Sequence, residues 1–296
     1  MHLGIDIGGT KVALAYRNAD GVEQSVSFRW PDPAELATDI SSIVEGIKLI
    51  DVYSGGPVTI GIATPPTVDA SGLVAAWPNR PHWVGANLLD VLDSVVPGAD
   101  FHYADDGDLA ALAEATASAY QNAVYLGVGT GIGGGIISGG EIFPGVSIGS
   151  CEIGHVVIDR QGPLCECGRR GCLQAVASGR ATHRRARRLR GEDLTEAQFH
   201  EAIDRRETWA LGVVEETAHA LATAAINLGE LVHPDVVIVG GGFASAIEGL
   251  VPRVAEIAQT MSRTGIRTPP VQAARLGGLS SLQGALMLAC DKARQV

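Results

Sequence analysis

Four residues between positions 155 and 172 have the types and the crowding to hold a metal. Cys165, Cys167 and Cys172 offer three thiols and His155 offers an imidazole, a Cys3His set suited to a closed, tetrahedral structural zinc. The Cys-x-Cys step is tighter than the usual C-x2-C, so spacing alone leaves unpaired thiols as an open alternative. Disulfides are the poorer reading, because five cysteines in a chain with no export signal point to a reducing compartment. Cys151 and Cys290 fall outside the motif and read as packing residues. A second signal lies in LGIDIGGTKVALA, residues 3 to 15, where Asp6 and the pair Gly8-Gly9 separate two apolar runs. Such a turn can offer backbone N–H groups to phosphate. The familiar loop GxxxxGK[ST] leads from strand into helix, whereas here the chain after Gly9 reads as a second strand, ending at the turn-like Asn18-Ala19-Asp20-Gly21.

Residues 124 to 137, VYLGVGTGIGGGII, restate this pattern of strand, glycine-and-threonine turn, strand. Two such hairpins imply two similar halves. If the halves face each other across a cleft, each offers backbone N–H groups and a threonine hydroxyl to one side of a polyphosphate. Asp6 then reads as an acid near the nucleotide's metal ion. Glycine suits both turns because a Cβ would block close backbone approach.

The elements that must position these residues alternate between two periodicities. Residues 58 to 63 (VTIGIA) and 235 to 239 (DVVIV) read as strands, the second running into Gly240-Gly241-Gly242. Leu36, Ile40, Ile43, Val44 and Ile47 share one helical face, and Trp209 to Val232 reads as a longer helix ending before His233-Pro234. The chain is therefore α/β. Its 296 residues, 46% apolar and 19% charged, allow two domains with real cores and exclude disorder. No apolar run approaches the roughly 18 to 20 residues of a membrane span, and no signal peptide is visible, so a cytoplasmic location is expected. A net charge of -11 favours neither nucleic acid nor an anionic membrane. The basic run Arg180, Arg184, Arg185, Arg187, Arg188 and Arg190 reads as a solvated, partly self-neutralised helix face, without interleaved aromatics for base stacking.

Taken in order, the motifs cover nearly the whole chain. They are DIGGTK (6–11), GIATPPTVD (61–69), PNRPHW (78–83), ADDGDLAALAE (104–114), GVGTGIGGGI (127–136), CEIGHVVID (151–159), CECGRRGC (165–172) and VGGG (239–242). This set resembles the ROK family of sugar kinases, within the actin-like, hexokinase-like ATPase fold. The resemblance implies two domains around a cleft: a smaller one over 1–105, with a C-terminal helix at about 281–296 packing back on it, and a larger one over 106–280 carrying the zinc motif. It implies ATP and Mg2+ as cofactors beside structural Zn2+ on His155, Cys165, Cys167 and Cys172. Asp106 is the implied general base for the sugar's 6-hydroxyl. Asn79, Asp105, Glu152, His155 and Gln174 are implied sugar contacts. Asp6, Gly8, Gly9, Thr10, Lys11, Thr130, Gly131, Gly241 and Gly242 are implied on the nucleotide and metal side. The expected partners are a small sugar and copies of the same chain, as homodimer or homotetramer, with no nucleic acid and no membrane.

Three departures from the family pattern bear on substrate. Asp105 stands where the family usually has Asn, Gln174 where it has Glu, and Asp108 where an Asn is common. An ionised Asp accepts hydrogen bonds and cannot donate them, so Asp105 favours a donor-only cation, such as an ammonium at carbon 3 of a hexose. The expectation is an ATP-dependent 6-kinase for a 3-amino-hexose (kanosamine). The alternatives are a glucokinase, an N-acetyl-hexosamine kinase and, in a different class, a sugar-sensing repressor, for which the sequence ahead of Asp6 offers no DNA-binding domain. Polyphosphate in place of ATP stays open.

Overall fold

The computed structural model describes residues 1–18, 20–32, 34–50, 58–64, 67–69, 71–77, 80–145 and 150–292. The chain forms two compact units: Met1–Ala113 joined by the C-terminal residues from Leu279 onward, and Glu114–Gly278.

In the first unit, β1 (His2–Ile7) pairs antiparallel with β2 (Lys11–Arg17), which pairs with β3 (Glu23–Arg29). After α1 (Leu36–Lys48), β4 (Thr59–Thr64) joins β1 in parallel. The small hairpin β5 (Thr67–Val68) and β6 (Val74–Ala76) and the helix α2 (Leu88–Val95) precede β7 (Asp100–Asp105), which adds in parallel to β4. The sheet order is β3-β2-β1-β4-β7. Strands β1, β2 and β4 are buried almost throughout, which is why they read as unbroken apolar runs: helices cover both faces. Helix α1 turns Ile43 and Ile47 into the core as its periodicity predicts, with Leu36, Ile40 and Val44 at the edge. The same helix also buries Asp39 completely.

The C-terminal helix (Ser280–Lys292) lies on β1 and β4. Gly4 and Gly61 are paired across these strands. A Cβ on Gly4 would sit 2.7 Å from the Leu286 nitrogen, and one on Gly61 only 1.9 Å from the Ala285 carbonyl oxygen. Two glycines in register thus make the flat patch that lets helix backbone approach sheet backbone.

The second unit begins within α3 (Asp106–Ala117) and repeats the arrangement. Its strands are β8 (Ala123–Val128), β9 (Ile132–Ser138), β10 (Glu141–Phe143), β11 (Val236–Gly240) and β12 (Val271–Ala273), in the order β10-β9-β8-β11-β12. Between β10 and β11 come α4 (Leu173–Ala177), α5 (Gly179–Arg190), α6 (Glu196–Asp204) and α7 (Thr208–Val232). The short α8 (Gly242–Ala246) and α9 (Leu250–Thr260) follow β11. Helices α7 and α9 close the core over Val124, Leu126, Val237 and Val239.

The arginine run on α5 is only in part the solvated face expected: Arg180 is exposed and paired with Glu166, but three of the others turn to backbone carbonyls. Arg184 donates to the Ala175 carbonyl, and Arg185 to the Val176 and Val213 carbonyls and to Thr217 Oγ1. Arg187 reaches the Leu194 carbonyl. A short helix leaves its last carbonyls without intrahelical partners, and these guanidinium groups satisfy two of them at the end of α4. Arg188 and Arg190 are exposed, the latter stacked over Trp209.

Two glycine substitutions should separate close approach from backbone freedom. Gly61→Ala drives a methyl into the Ala285 carbonyl and should cost about 3 kcal/mol or more, or prevent folding. Gly212→Ala, within α7 and with open space around its Cβ position, should stabilise by roughly 0.5–1 kcal/mol. Thermal and urea unfolding would measure both.

Candidate active site and metal cluster

In the first unit the chemistry gathers at the C-terminal ends of parallel strands, where open α/β sheets bind their ligands. Asp6 near the end of β1 is level with Ala63, and Thr64 at the end of β4 is level with Asp105 at the end of β7. The strands carrying Asp6 and Asp105 are two spacings, about 10 Å, apart. Asp6 is buried and accepts a hydrogen bond from Ser281 Oγ at 2.7 Å. Burial raises its pKa from the ordinary 3.8, against the lowering influence of Ser281 and Lys11. Thr64, which the sequence did not single out, is buried on β4, the strand between the two that carry these acids, and its hydroxyl has no hydrogen-bond partner among the described residues.

Asp105 Oδ1 accepts from the Gly107 N–H at 2.9 Å, so this side chain caps the start of α3. Asp106 opens the helix half-exposed, while Asp108 is buried at 2% exposure. Of the two acids, Asp106 is the one with access to solvent and a ligand. The turn after β1 is closed by Gly8 N–H to the Lys11 carbonyl (2.9 Å), with Gly8 and Gly9 half-buried and Thr10 and Lys11 exposed. Asn79 lies outside the described residues.

In the second unit the matching turn follows β8. The Gly129 N–H donates to the Gly131 carbonyl at 3.0 Å, and the N–H groups of Gly179 and Arg180 at the start of α5 bond back to the Gly129 and Thr130 carbonyls. Thr130 and Gly131 are exposed. Gly241 takes a φ of 90° with its Cβ position 2.5 Å from the Val128 carbonyl oxygen, so only glycine brings the β11 turn this close to β8. Gly129, Thr130, Gly242, Phe243, His183, Arg184 and Phe199 are among the walls of a cavity of about 1060 Å³. This volume is at the upper end for small-molecule sites.

The cluster suggested by spacing is assembled. The ligand atoms of His155, Cys165, Cys167 and Cys172 lie within 4.8 Å of one another. Cys165 Sγ is 3.7 Å from His155 Nδ1, and Cys167 Sγ is 3.6 Å from Cys172 Sγ. A tetrahedral zinc with Zn–S near 2.3 Å and Zn–N near 2.0–2.1 Å gives ligand edges of roughly 3.4–3.8 Å, so the donor set and its spacing fit that metal. The Arg169 backbone N–H holds the Cys167 thiol down at about 6, whereas burial pushes Cys172 up to about 12. The Gln174 amide donates to Cys165 Sγ at 3.6 Å, and its Oε1 lies 3.4 Å from where a Gly131 Cβ would be. Gln174 therefore stands between the cluster and the Thr130-Gly131 turn. Glu152 is exposed at the head of the 3-10 turn Ile153–His155 that supplies the imidazole.

Two sheets of identical strand order, each with a glycine turn after its first strand, define the actin-like ATPase fold. A ROK hexokinase from Thermus thermophilus superposes with a TM-score of 0.86 at 28% identity, covering 99% of each chain. A ROK glucokinase from Streptomyces griseus, solved with glucose and AMPPNP, gives 0.80 at 25% identity, over 98% of this chain and 99% of that one. The ROK family profile matches residues 2–292, and the chain belongs to that family. Among curated relatives, the kanosamine kinase of Amycolatopsis mediterranei is 47% identical over 289 residues, 97% of this chain and 95% of that protein.

The state of Asp6 has a stability consequence. Its folded pKa lies above the unfolded value, so its contribution is fully favourable below about pH 4 and is lost as pH rises through the folded pKa. In metal-free buffer, Asp6→Asn should therefore melt higher than wild type at neutral pH, and the difference should vanish towards pH 3. Paired thermal melts across that range measure it.

Proposed function

We propose that this chain transfers the γ-phosphoryl group of ATP to the 6-hydroxyl of a glucose-like sugar, and that its favoured acceptor is a 3-amino-hexose, kanosamine. It is an ATP-dependent sugar kinase of the ROK family, and 47% identity to a kanosamine kinase along almost the whole chain supports the acceptor class. The observation that carries the acceptor assignment is Asp105. Its bond to Gly107 N–H is a cap that Asn makes equally well, so capping gives no reason for an acid at that position. A donor-only ammonium on the substrate does.

Asp106, half-exposed at the start of α3, accepts the proton of the attacking hydroxyl. Phosphoryl transfer asks mostly for positioning and charge stabilisation. The N–H groups of Gly9 and Thr10, in the turn that the Gly8–Lys11 bond closes, and of the Thr130-Gly131 turn serve the donor phosphates, with Thr10 and Lys11 exposed beside the first. The Gly241-Gly242 turn and the cavity behind it take the nucleoside. Asp6 would hold Mg2+, whose charge, when bound, offsets that developing on the phosphates. His155 and Glu152 face the sugar, with Asn79 and Gln174 as further contacts. A zinc on His155, Cys165, Cys167 and Cys172 would fix the turn that carries the first two, leaving His155 Nε2 for a hydroxyl.

Coupled kinase assays with kanosamine, glucose and N-acetyl-hexosamines would test the acceptor. An ammonium about 4 Å from Asp105 gains on the order of 1–4 kcal/mol before desolvation, so Asp105→Asn should lower kcat/KM for kanosamine at least about tenfold relative to glucose. Equal losses on both sugars would leave a glucokinase or an N-acetyl-hexosamine kinase, according to which substrate turns over. For the metal, elemental analysis should give one zinc per chain. Cys167→Ser should release it more readily to a chelator and raise the sugar KM.

A further inference from the structure

Among the described residues, the side-chain donors on Asp39 all come from one four-residue stretch. Arg80 Nη1 donates to both carboxylate oxygens, at 2.7 and 2.9 Å. His82 Nε2 lies 2.7 Å from Oδ2, and Trp83 Nε1 donates to the same oxygen at 2.8 Å. A carboxylate beside an arginine accepts only, so His82 carries its proton on Nε2. Asp39 has no exposed surface and Arg80 is 7% exposed.

The path continues past Arg80. Its guanidinium lies 4.7 Å over the Trp30 ring, a stacked cation–π contact. Trp30 donates its indole N–H to the Gly8 carbonyl at 2.7 Å and its backbone N–H to the Thr10 carbonyl at 3.3 Å. One buried carboxylate on α1 is thereby connected to both the turn that serves the donor phosphates and the segment directly after Asn79 in the sugar motif.

Stability alone is a weak reason for this arrangement. Removing two charges from water costs several kcal/mol each, and well-packed apolar side chains often serve as well. What convergent donors supply is location. The stretch Arg80–Trp83 is a single 3-10 turn begun by a proline, without strand pairing to fix it, and Asp39 gathers three of its four side chains at one point.

We propose that Asp39 is a positioning residue for both substrates. It fixes the acceptor-side segment from Arg80 to Trp83 and, through Arg80 and Trp30, the Gly8–Thr10 turn, so that donor and acceptor affinity are set by one buried network. The proposal rests on the kinase reading for the roles of the two segments.

Trp30→Phe keeps a ring beneath Arg80 and removes only the indole N–H from Gly8. Arg80→Lys keeps the charge but loses the planar guanidinium stacked over Trp30. Calorimetric titration with a magnesium-bound, non-hydrolysable ATP analogue should show binding weakened about tenfold in Trp30→Phe, the scale of one lost hydrogen bond. Arg80→Lys should weaken the analogue and raise the sugar KM by roughly fivefold or more each, with kcat within about threefold, because neither side chain touches the reacting atoms. Asp39→Asn, if it folds, should show both losses; if it does not, Arg80→Lys decides. Variants that melt lower but keep both affinities would make the network merely structural and overturn the proposal. A wild type that binds the analogue and phosphorylates no hexose would refute the kinase reading instead, and the analogue titrations of Trp30→Phe and Arg80→Lys would still decide the network.

Discussion

The amino-terminal unit depends on a contact from which side chains are excluded. The C-terminal helix lies directly on β1 and β4 because Gly4 and Gly61 present bare backbone at the same level. Interiors pack at crystal-like density and tolerate little added volume, so this contact fixes the height of the helix over the sheet. Ser281, in its first turn, is thereby within reach of Asp6. Residues from the two ends of the chain thus form one wall of the candidate site.

Buried acids in this protein are held in different ways. Asp39 is surrounded by donors from Arg80, His82 and Trp83. Glu114, also fully buried, accepts from the backbone N–H groups of Arg275 and Leu276 and ties that loop down. Asp6 has the Ser281 hydroxyl and the charge of Lys11, too little to offset its burial, and its pKa rises. Burial thus leaves Asp6 less compensated than either of the other two acids.

Much of this was legible in the sequence, for identifiable reasons. The strands of the two hairpins and their neighbours β4 and β11 are buried along most of their length, so their apolar runs are long and their glycine turns stand out. The Cys3His cluster was legible because its ligands crowd into eighteen residues. Asp39 was not, since an acid among Leu36, Ile40, Ile43 and Val44 looks like the polar side of an amphipathic helix. Its partners lie about forty residues away, and no periodicity encodes that pairing. Thr64 was equally silent: threonine is an ordinary strand residue, and only its burial level with Asp105 marks it. Arg184, Arg185 and Arg187 misled because composition shows charge but not the unpaired carbonyls that charge can serve.

The repeat of the sheet is faithful in topology and unfaithful in chemistry. Gly127, next to last in β8, occupies the place that Asp6 holds in β1, and Gly127 is paired with Gly240. The Tyr125 ring lies across both, 3.1 Å from a Cβ on the first, with its hydroxyl 2.9 Å from a Cβ on the second. An aromatic plug thus fills in one copy the space an acid uses in the other. The doubled fold has room for this carboxylate only once, so the two halves are not chemically interchangeable.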